Sequence, residues 1–368
     1  MGLNFRDVLN VLGMYPGDPG APGGDFAGMV AAVGAGVEDF KVGDRVFGIA
    51  MGSLEAYAEA HPCHIRHMPP DMTFAAAASL PVLMTTVHRG LVELAGICRG
   101  QRVLVHAGAG GIGLTAIHYA QKLECEVVAT VGSAEKQEYV KSLGVRMIAS
   151  SRDAEAFRGS MDEYGPVDVV LNSLSGDFRS HSLAALKMGG HFCEIGKRDI
   201  WSHEEVAQLR PDVHYHIVAI DAMMAEDPTG FKELFEAAMG FGPAVLKTTC
   251  FPIHRTVEAF EYLKRAKHIG KVVVTQAPVV TVDGCYIISG GLGYVRRLVT
   301  RASSEQGARS LVLLSSSRSE VPEDWGLEVR PVVERCDVGE LEEVRRVMSR
   351  HKNIRGIIHA AGVLADRT

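Results

Sequence analysis

The chain has 368 residues, 47% of them hydrophobic and 22% charged, with a formal net charge of −6. That is a globular composition with ample core and room for roughly two to three domains, and it lacks the cationic excess that draws a protein to nucleic acid. The seven cysteines are scattered and form no C-x-x-C pair, no apolar run approaches the roughly 18 residues of a membrane helix, and the first residues lack the basic-then-apolar order of a signal peptide. The expectation is a reduced, cytoplasmic protein with neither membrane nor nucleic acid as partner.

Residues 1–75 are rich in Gly, Pro and short β-like runs, Met29–Gly34 and Arg45–Ile49 among them, and read as a small irregular β domain. His61-Pro62-Cys63-His64-Ile65-Arg66-His67 contains metal-ligand residue types, but the spacing fits no zinc pattern and no metal site is expected. From 76 to 221 the pattern changes. Strand-like runs recur at Val103–Val105, Val127–Val131, Val167–Leu171, His191–Ile195 and His216–Ile220, with helix-like segments such as Gly113–Leu123 and Ala134–Leu143 between them. Alternation of this kind implies βαβ units and a parallel, doubly wound sheet. Residues 222–277 are expected to rejoin the first domain through the strand Lys271–Thr275. A third unit, 280–368, has strand-like runs at 285–288, 310–314 and 356–359 and a helix candidate at 341–349.

Two glycine fingerprints sit in this framework. The first, His106-Ala107-Gly108-Ala109-Gly110-Gly111-Ile112-Gly113, follows a strand and opens a helix. Gly108, Gly110 and Gly113 fit G-x-G-x-x-G, in which glycine allows the tight turn, the close approach of backbone to pyrophosphate and the packing of helix on strand. With Gly111 and Ile112 they are the candidate pyrophosphate cradle, at a helix N-terminus that favours anions. An NAD site usually offers an acidic residue about 20 residues further on. Here the next strand ends in Gly132-Ser133-Ala134-Glu135-Lys136, and the hydroxyl of Ser133 and the ammonium of Lys136 suit a 2′-phosphate, so NADPH is the expected cofactor. Later strand ends supply Asn172 and Ser173, then Gly196 and Lys197, then Asp221, at the edge where open α/β sheets bind ligands. From this pattern Lys197 is equally compatible with an exposed loop and with chemistry. The second fingerprint, Gly290-Gly291-Leu292-Gly293, has Arg296 where the third glycine belongs.

The combination resembles the enoyl reductase domain of polyketide synthases and animal-type fatty acid synthases, zinc-free members of the medium-chain dehydrogenase/reductase superfamily. The resemblance rests on Gly2-Leu3-Asn4-Phe5-Arg6-Asp7-Val8-Leu9, Gly13-Met14-Tyr15-Pro16-Gly17, Gly23–Gly28, Val42–Val46, the 106–113 fingerprint, Gly132–Lys136, Val169–Leu174, Glu194–Lys197 and His268–Val273. It covers residues 2–277 and implies a GroES-like β domain (1–75 with 222–277) and a Rossmann domain (76–221). Residues 280–368 are similar to the first part of a ketoreductase, a short-chain dehydrogenase/reductase, through Gly290–Gly293, Cys336-Asp337-Val338 and His359–Leu364. This piece is a partial second Rossmann-type unit, and the residues of ketoreductase chemistry would lie beyond Thr368.

The resemblance implies reduction of a trans-2-enoyl thioester by NADPH, with Lys197, Asp221 and Tyr15 as candidate catalytic residues and Asn4 and Lys271 beside the cofactor. It also implies an acyl carrier protein bearing the chain on phosphopantetheine, neighbouring synthase domains, and is compatible with a homodimer. Gly24-Asp25 stands where zinc-dependent relatives carry a His-Glu pair, and Asp25 itself where the family often has Glu. Family members carry further strands before the Leu-Asn-Phe-Arg-Asp motif. Two other readings stay open at this stage: a stand-alone zinc-free NADPH quinone oxidoreductase, and an inactive synthase fragment.

Overall fold

The computed structural model describes residues 1–368 except 199, 243–245, 277–279, 281–283, 291–293, 306, 317–320, 322–324, 326, 328 and 361–368, and for 294–296 the backbone alone. In chain order the elements begin β1 (Gly2–Leu3), α1 (Phe5–Val11), β2 (Asp25–Met29), β3 (Arg45–Ile49), β4 (Ile65–His67), α2 (Phe74–Ala77) and α3 (Pro81–Val87). The nucleotide-domain pattern follows with β5 (Arg102–Val105), α4 (Gly111–Lys122), β6 (Glu126–Val131), α5 (Ala134–Ser142), β7 (Met147–Ser150), α6 (Ala154–Tyr164), β8 (Val167–Asn172), α7 (Asp177–Ala184), β9 (Leu186–Glu194), α8 (His203–Leu209) and β10 (His214–Ile217). Then come α9 (Ile220–Glu226), α10 (Pro228–Gly240), β11 (Thr248–Pro252), α11 (Thr256–Lys264) and β12 (Lys271–Thr275). The last stretch holds β13 (Cys285–Ser289), α12 (Tyr294–Glu305), β14 (Ser310–Ser315), β15 (Val332–Arg335), α13 (Leu341–Arg350) and β16 (Ile354–His359).

The chain divides into two compact units, Met1–Ala277 and Pro278–Thr368. In the first unit, one sheet has the order β11-β12-β1-β2-β3-β4. β12 pairs antiparallel with β1, Gly2 opposite Val273, so the strand near residue 271 closes onto the first residues of the chain. The other sheet has the order β10-β9-β8-β5-β6-β7 and every pairing in it is parallel. Strand order reverses between β5 and β8, and a crevice opens at the carboxyl ends of the strands at such a switch point. Apolar strands such as Arg102–Val105 and Val167–Asn172 are buried on both faces because helices cover the sheet on each side. One buried cluster runs from Phe47 and Ile49 of the first sheet through Met84, Leu91 and Tyr119 of the helices to Val105 and Leu171 of the second. The two sheets therefore share a core. The second unit is a parallel sheet of order β15-β14-β13-β16.

Two strands lie elsewhere than the sequence pattern puts them. The apolar run Met29–Gly34 is not a strand beyond its first residue; β2 is Asp25–Met29, flanked by β1 and β3. After Met29 the chain turns into a loop whose neck is closed by Val30 and Asp44 and by Gly43 and Val30, so the later residues have no strand to pair with. The run His216–Ile220 is divided. Its pairing ends where the Val218 amide donates to the Glu194 carbonyl, and Ile220 already begins α9. Asp221 therefore occupies the first turn of a helix, not the end of a strand; a short apolar run does not reveal its own period. The Arg296 side chain and Gly291–Gly293 of the second fingerprint lie outside the described residues.

Candidate functional site

The first fingerprint forms a turn with almost no spare volume. A Cβ on Gly113 would lie 2.4 Å from the Ala107 carbonyl oxygen, and one on Gly108 2.9 Å from the Ala129 Cβ on the neighbouring strand. The first turn of α4 thus rests directly on backbone. Gly111 sits against Leu83, where a Cβ would come within 2.8 Å of a side-chain methyl. His106 pins the turn from beneath: its Nε2 is 2.7 Å from Ser182 Oγ and its Nδ1 3.2 Å from Thr130 Oγ1, which also accepts from the Ala107 amide. Burial pushes the His106 pKa down to about 3, so the ring is a neutral structural group at ordinary pH.

The turn opens onto a cleft of about 1090 Å³ between the two sheets of the first unit. Gly110, Gly111, Ile112 and Gly113 line it, as do Ser133 and Lys136 at one end. Ser173, Gly196, Lys197 and Asp221 line the wall built on β8, β9 and α9, and Asn4 and Lys271 the floor from the first sheet. Gly108, Asn172 and Tyr15 are not in the lining. Gly108 lies under the turn. Asn172 stands one layer back, its amide donating to the Leu174 carbonyl and to Glu194 Oε2 at 2.7 Å.

Lys197 and Asp221 meet. Lys197 Nζ donates to Asp221 Oδ1 at 2.8 Å, and the Tyr15 hydroxyl donates to Asp221 Oδ2 at 2.8 Å. Three candidates drawn from positions as much as 206 residues apart therefore share one carboxylate. Burial is the largest single influence on Asp221 and pushes its carboxyl up; the ammonium of Lys197 and the hydroxyl of Tyr15 outweigh it together and hold the group below its ordinary value. The Tyr15 phenol is held above its ordinary value, first by burial and then by its bond to Asp221, while Arg6 acts in the opposite direction.

Asn4 and Lys271 form a second knot with Asp25. Lys271 Nζ donates to Asn4 Oδ1 and to Asp25 Oδ2, both at 2.6 Å, and Asn4 Nδ2 donates to Asp25 Oδ2 at 2.9 Å. The other Asp25 oxygen accepts from the Val82 amide at the start of α3. The ion pair is sealed, with side-chain exposures of 3% and 0%. Asn4 is free to point there because the backbone amide that precedes α1 is satisfied by Asp7, whose carboxylate accepts from Asn4 N at 2.7 Å and from Gly23 N at 2.9 Å.

At the other end of the cleft, Ser133 caps α5 by accepting from the Lys136 amide, and Lys136 Nζ donates 2.7 Å to the Ala266 carbonyl in the turn before β12. Burial, and then the nearby Arg152, lower the Lys136 pKa. Sequence reasoning passed over Arg152, although its guanidinium lies over Gly132, where a Cβ would come within 2.8 Å of its Nε. It also passed over Glu194, which is 1% exposed and braces the Lys197 turn by accepting from the Gly196 amide at 2.6 Å. Burial raises the Glu194 carboxyl, against the Asn172 amide, the Gly196 N–H and Arg179. A lone acidic residue at a strand end, as in Glu194-Ile195-Gly196-Lys197, was the available signal. His61, Cys63 and His64 fall on and beside the short 3-10 turn Pro62–His64. Among the described residues no group of three or more His, Cys, Asp or Glu side chains is arranged to hold a metal ion.

Comparison with known proteins places each part. The alcohol dehydrogenase GroES-like domain family matches residues 1–77, the zinc-binding dehydrogenase family residues 111–238, and the KR domain family residues 284–368. The polyketide synthase GfsB of Streptomyces halstedii is 37% identical over 381 residues, covering 99% of this chain and 7% of that protein. The chain spans between 7% and 24% of the length of such curated relatives. Among solved structures, the CurK enoyl reductase is 36% identical with a TM-score of 0.67, over 74% of this chain and 88% of that one. Mycobacterial Rv1454c, solved in complex with NADPH, is 27% identical with a TM-score of 0.66, over 74% and 88%. With a GroES-like domain, a doubly wound nucleotide domain and the start of a KR domain in that order, the chain belongs to the enoyl reductase family of the polyketide synthases.

Proposed function

We propose that residues 1–277 reduce a trans-2-enoyl thioester to the saturated acyl thioester, with NADPH as reductant and with the acyl chain presented on the phosphopantetheine arm of an acyl carrier protein. Neighbouring synthase domains supply and remove that chain. The observation that carries the reading is the Lys197–Asp221 pair, held at 2.8 Å in the wall of the cleft onto which the glycine turn opens.

The residues present fit a dinucleotide. Glycines at 111 and 113 leave bare backbone at the start of α4, where unpaired N–H groups and the helix dipole favour a diphosphate. Lys136 and Arg152 bring cationic side chains to the end of β6, where a 2′-phosphate would need them. Asn4 and Lys271 stand on the floor, already fixed by Asp25. When bound, the reduced nicotinamide supplies a hydride for the β-carbon of the substrate. Negative charge then spreads from the α-carbon to the thioester oxygen, and a low-dielectric cleft with aimed donors stabilises it. Lys197 gives a proton to the α-carbon, Asp221 fixes the direction of that ammonium, and Tyr15 holds the second oxygen of Asp221. Protein groups carry the steps that follow the hydride. Asp25, at the position of the zinc-binding pair of other relatives, has both oxygens committed to Lys271, Asn4 and the Val82 amide.

The test is NADPH oxidation with a crotonyl thioester, set against a small quinone. The thioester is the expected substrate. Lys197→Ala is expected to lower turnover by about 100-fold or more, the usual contribution of a positioned proton donor. Tyr15→Phe is expected to cost less, and the double variant no more than Lys197→Ala alone. Unchanged turnover in all three variants overturns the assignment. Lys136→Ala is expected to weaken NADPH about tenfold more than NADH; equal loss for both removes the 2′-phosphate reading.

A further inference from the structure

The paired Lys197 and Asp221 have a shortcoming as a site for building negative charge: an ammonium and a carboxylate at 2.8 Å cancel one another at a distance. A third charge changes this. Arg6, on α1, lies with its guanidinium carbon 4.7 Å from the centre of the Tyr15 ring, and its Nε is 3.9 Å from Asp221 Oδ2. Arg6 lines the cleft; Tyr15, on the far side of it, does not. Its Nη2 donates to the Pro19 carbonyl at 3.0 Å, in the loop that carries Tyr15. Its Nε and Nη1 are buried and have no hydrogen-bond partner. A buried N–H left unpaired is costly, so this arginine bears a stability cost at two of its nitrogens.

We propose that Arg6 is a positioning residue whose charge acts on Tyr15 and Asp221 and leaves the Lys197–Asp221 site with net positive charge toward the cleft. This rests on the enoyl reductase reading above. Two cations then face one carboxylate, and the excess charge lies beside the thioester oxygen as it becomes an enolate oxygen. The charged groups that face the Tyr15 hydroxyl or its carboxylate partner come from three elements: Arg6 from α1, Lys197 from the turn after β9, and Asp221 from α9.

Two measurements on the full chain test this, one without turnover. Tetranitromethane attacks the phenolate form of tyrosine, and nitration of the Tyr15 peptide is followed by mass spectrometry at fixed pH. Loss of a cation beside the ring raises the phenol pKa further, so Arg6→Gln is expected to slow nitration of Tyr15 about tenfold, and Arg6→Lys to restore most of it. A merely structural arginine predicts the opposite: uncovering the ring would speed nitration. In turnover with the crotonyl thioester, Arg6→Gln is expected to lower kcat about tenfold or more with KM and NADPH affinity within about twofold, and Arg6→Lys to recover kcat. Nitration that is unchanged or faster in Arg6→Gln overturns the proposal, as does a loss confined to KM or to NADPH affinity. A wild-type chain that oxidises no NADPH with the thioester overturns the enoyl reductase reading instead, and the nitration result still stands by itself.

Discussion

Gly113 is the position where one methyl group has most effect. Its Cβ would have to lie 2.4 Å from the Ala107 carbonyl and 2.6 Å from the Gly108 Cα, both backbone atoms that have nowhere to move. Gly113→Ala is expected to lower the melting temperature by several degrees and to weaken NADPH at least about tenfold, read by thermal unfolding and by fluorescence titration. Asp221 gives a pH dependence of definite sign. Its folded pKa lies below the ordinary 3.8, so its contribution to stability is complete above that value and is lost as the pH falls through the folded pKa. The melting-temperature advantage of the wild type over Asp221→Asn is therefore expected at about pH 7 and to shrink by about pH 3; a constant difference would mean that the carboxylate charge contributes nothing. At this scale the glycines were legible because their backbone role is local, whereas Lys197 was singled out only through the resemblance, its pattern being equally compatible with an exposed loop. Arg6 and Glu194 were not, because an ionisable residue declares its role only through partners, and the partner of Arg6 lies on α9, more than 200 residues away along the chain.

The element that joins the ends of the first unit is β12, between β11 and β1. Its first residue, Lys271, is locked to Asp25 on β2, with Asn4 completing the knot. Removing one partner of a sealed ion pair leaves a charge buried and alone, which costs about 3–5 kcal/mol. Asp25→Ala is expected to lose about that much in denaturant unfolding, and Asp25→Ala with Lys271→Met to recover part of it. Recovery fails if the pair instead acts only through Asn4. The helices α4 and α5 and the strands β5, β6 and β8 could be read within a residue or two from apolar period and the fingerprint, whereas β9 begins five residues before the run His191–Ile195 and β7 was not read. The limits of β2 and β10 could not, since Met29–Gly34 and His216–Ile220 are apolar runs whose fate depends on whether a neighbouring strand is there to pair with.

For the molecule as a whole, every described residue lining the cleft falls between Leu3 and Val272, inside the unit that ends at Ala277. A chain ending at Ala277 is therefore expected to bind NADPH with affinity within about twofold of the full chain, by titration; a larger loss would mean that the KR-domain residues contribute to the site. The order of the parts was readable in advance through the resemblance, which rests on motifs in each of them. How the first sheet and the nucleotide sheet cooperate was not, for that depends on which backbone groups touch across the cleft.

One such touch has a dynamic meaning. Gly110, inside the phosphate turn, forms a lone parallel bridge with Gly270, whose amide donates 2.9 Å to the Ala109 carbonyl. Gly270 adopts φ +76°, and a Cβ there would lie 2.0 Å from the Lys247 carbonyl, so the contact is made by backbone that no side chain could replace. The bridge rivets the phosphate turn to the residue just before β12. Any ligand that stiffens the phosphate turn must also slow the opening of that rivet. The Gly270 amide proton thereby becomes a gauge of that contact: its exchange with solvent deuterium is expected to slow when the phosphate turn is occupied, a readout from a residue outside the fingerprint.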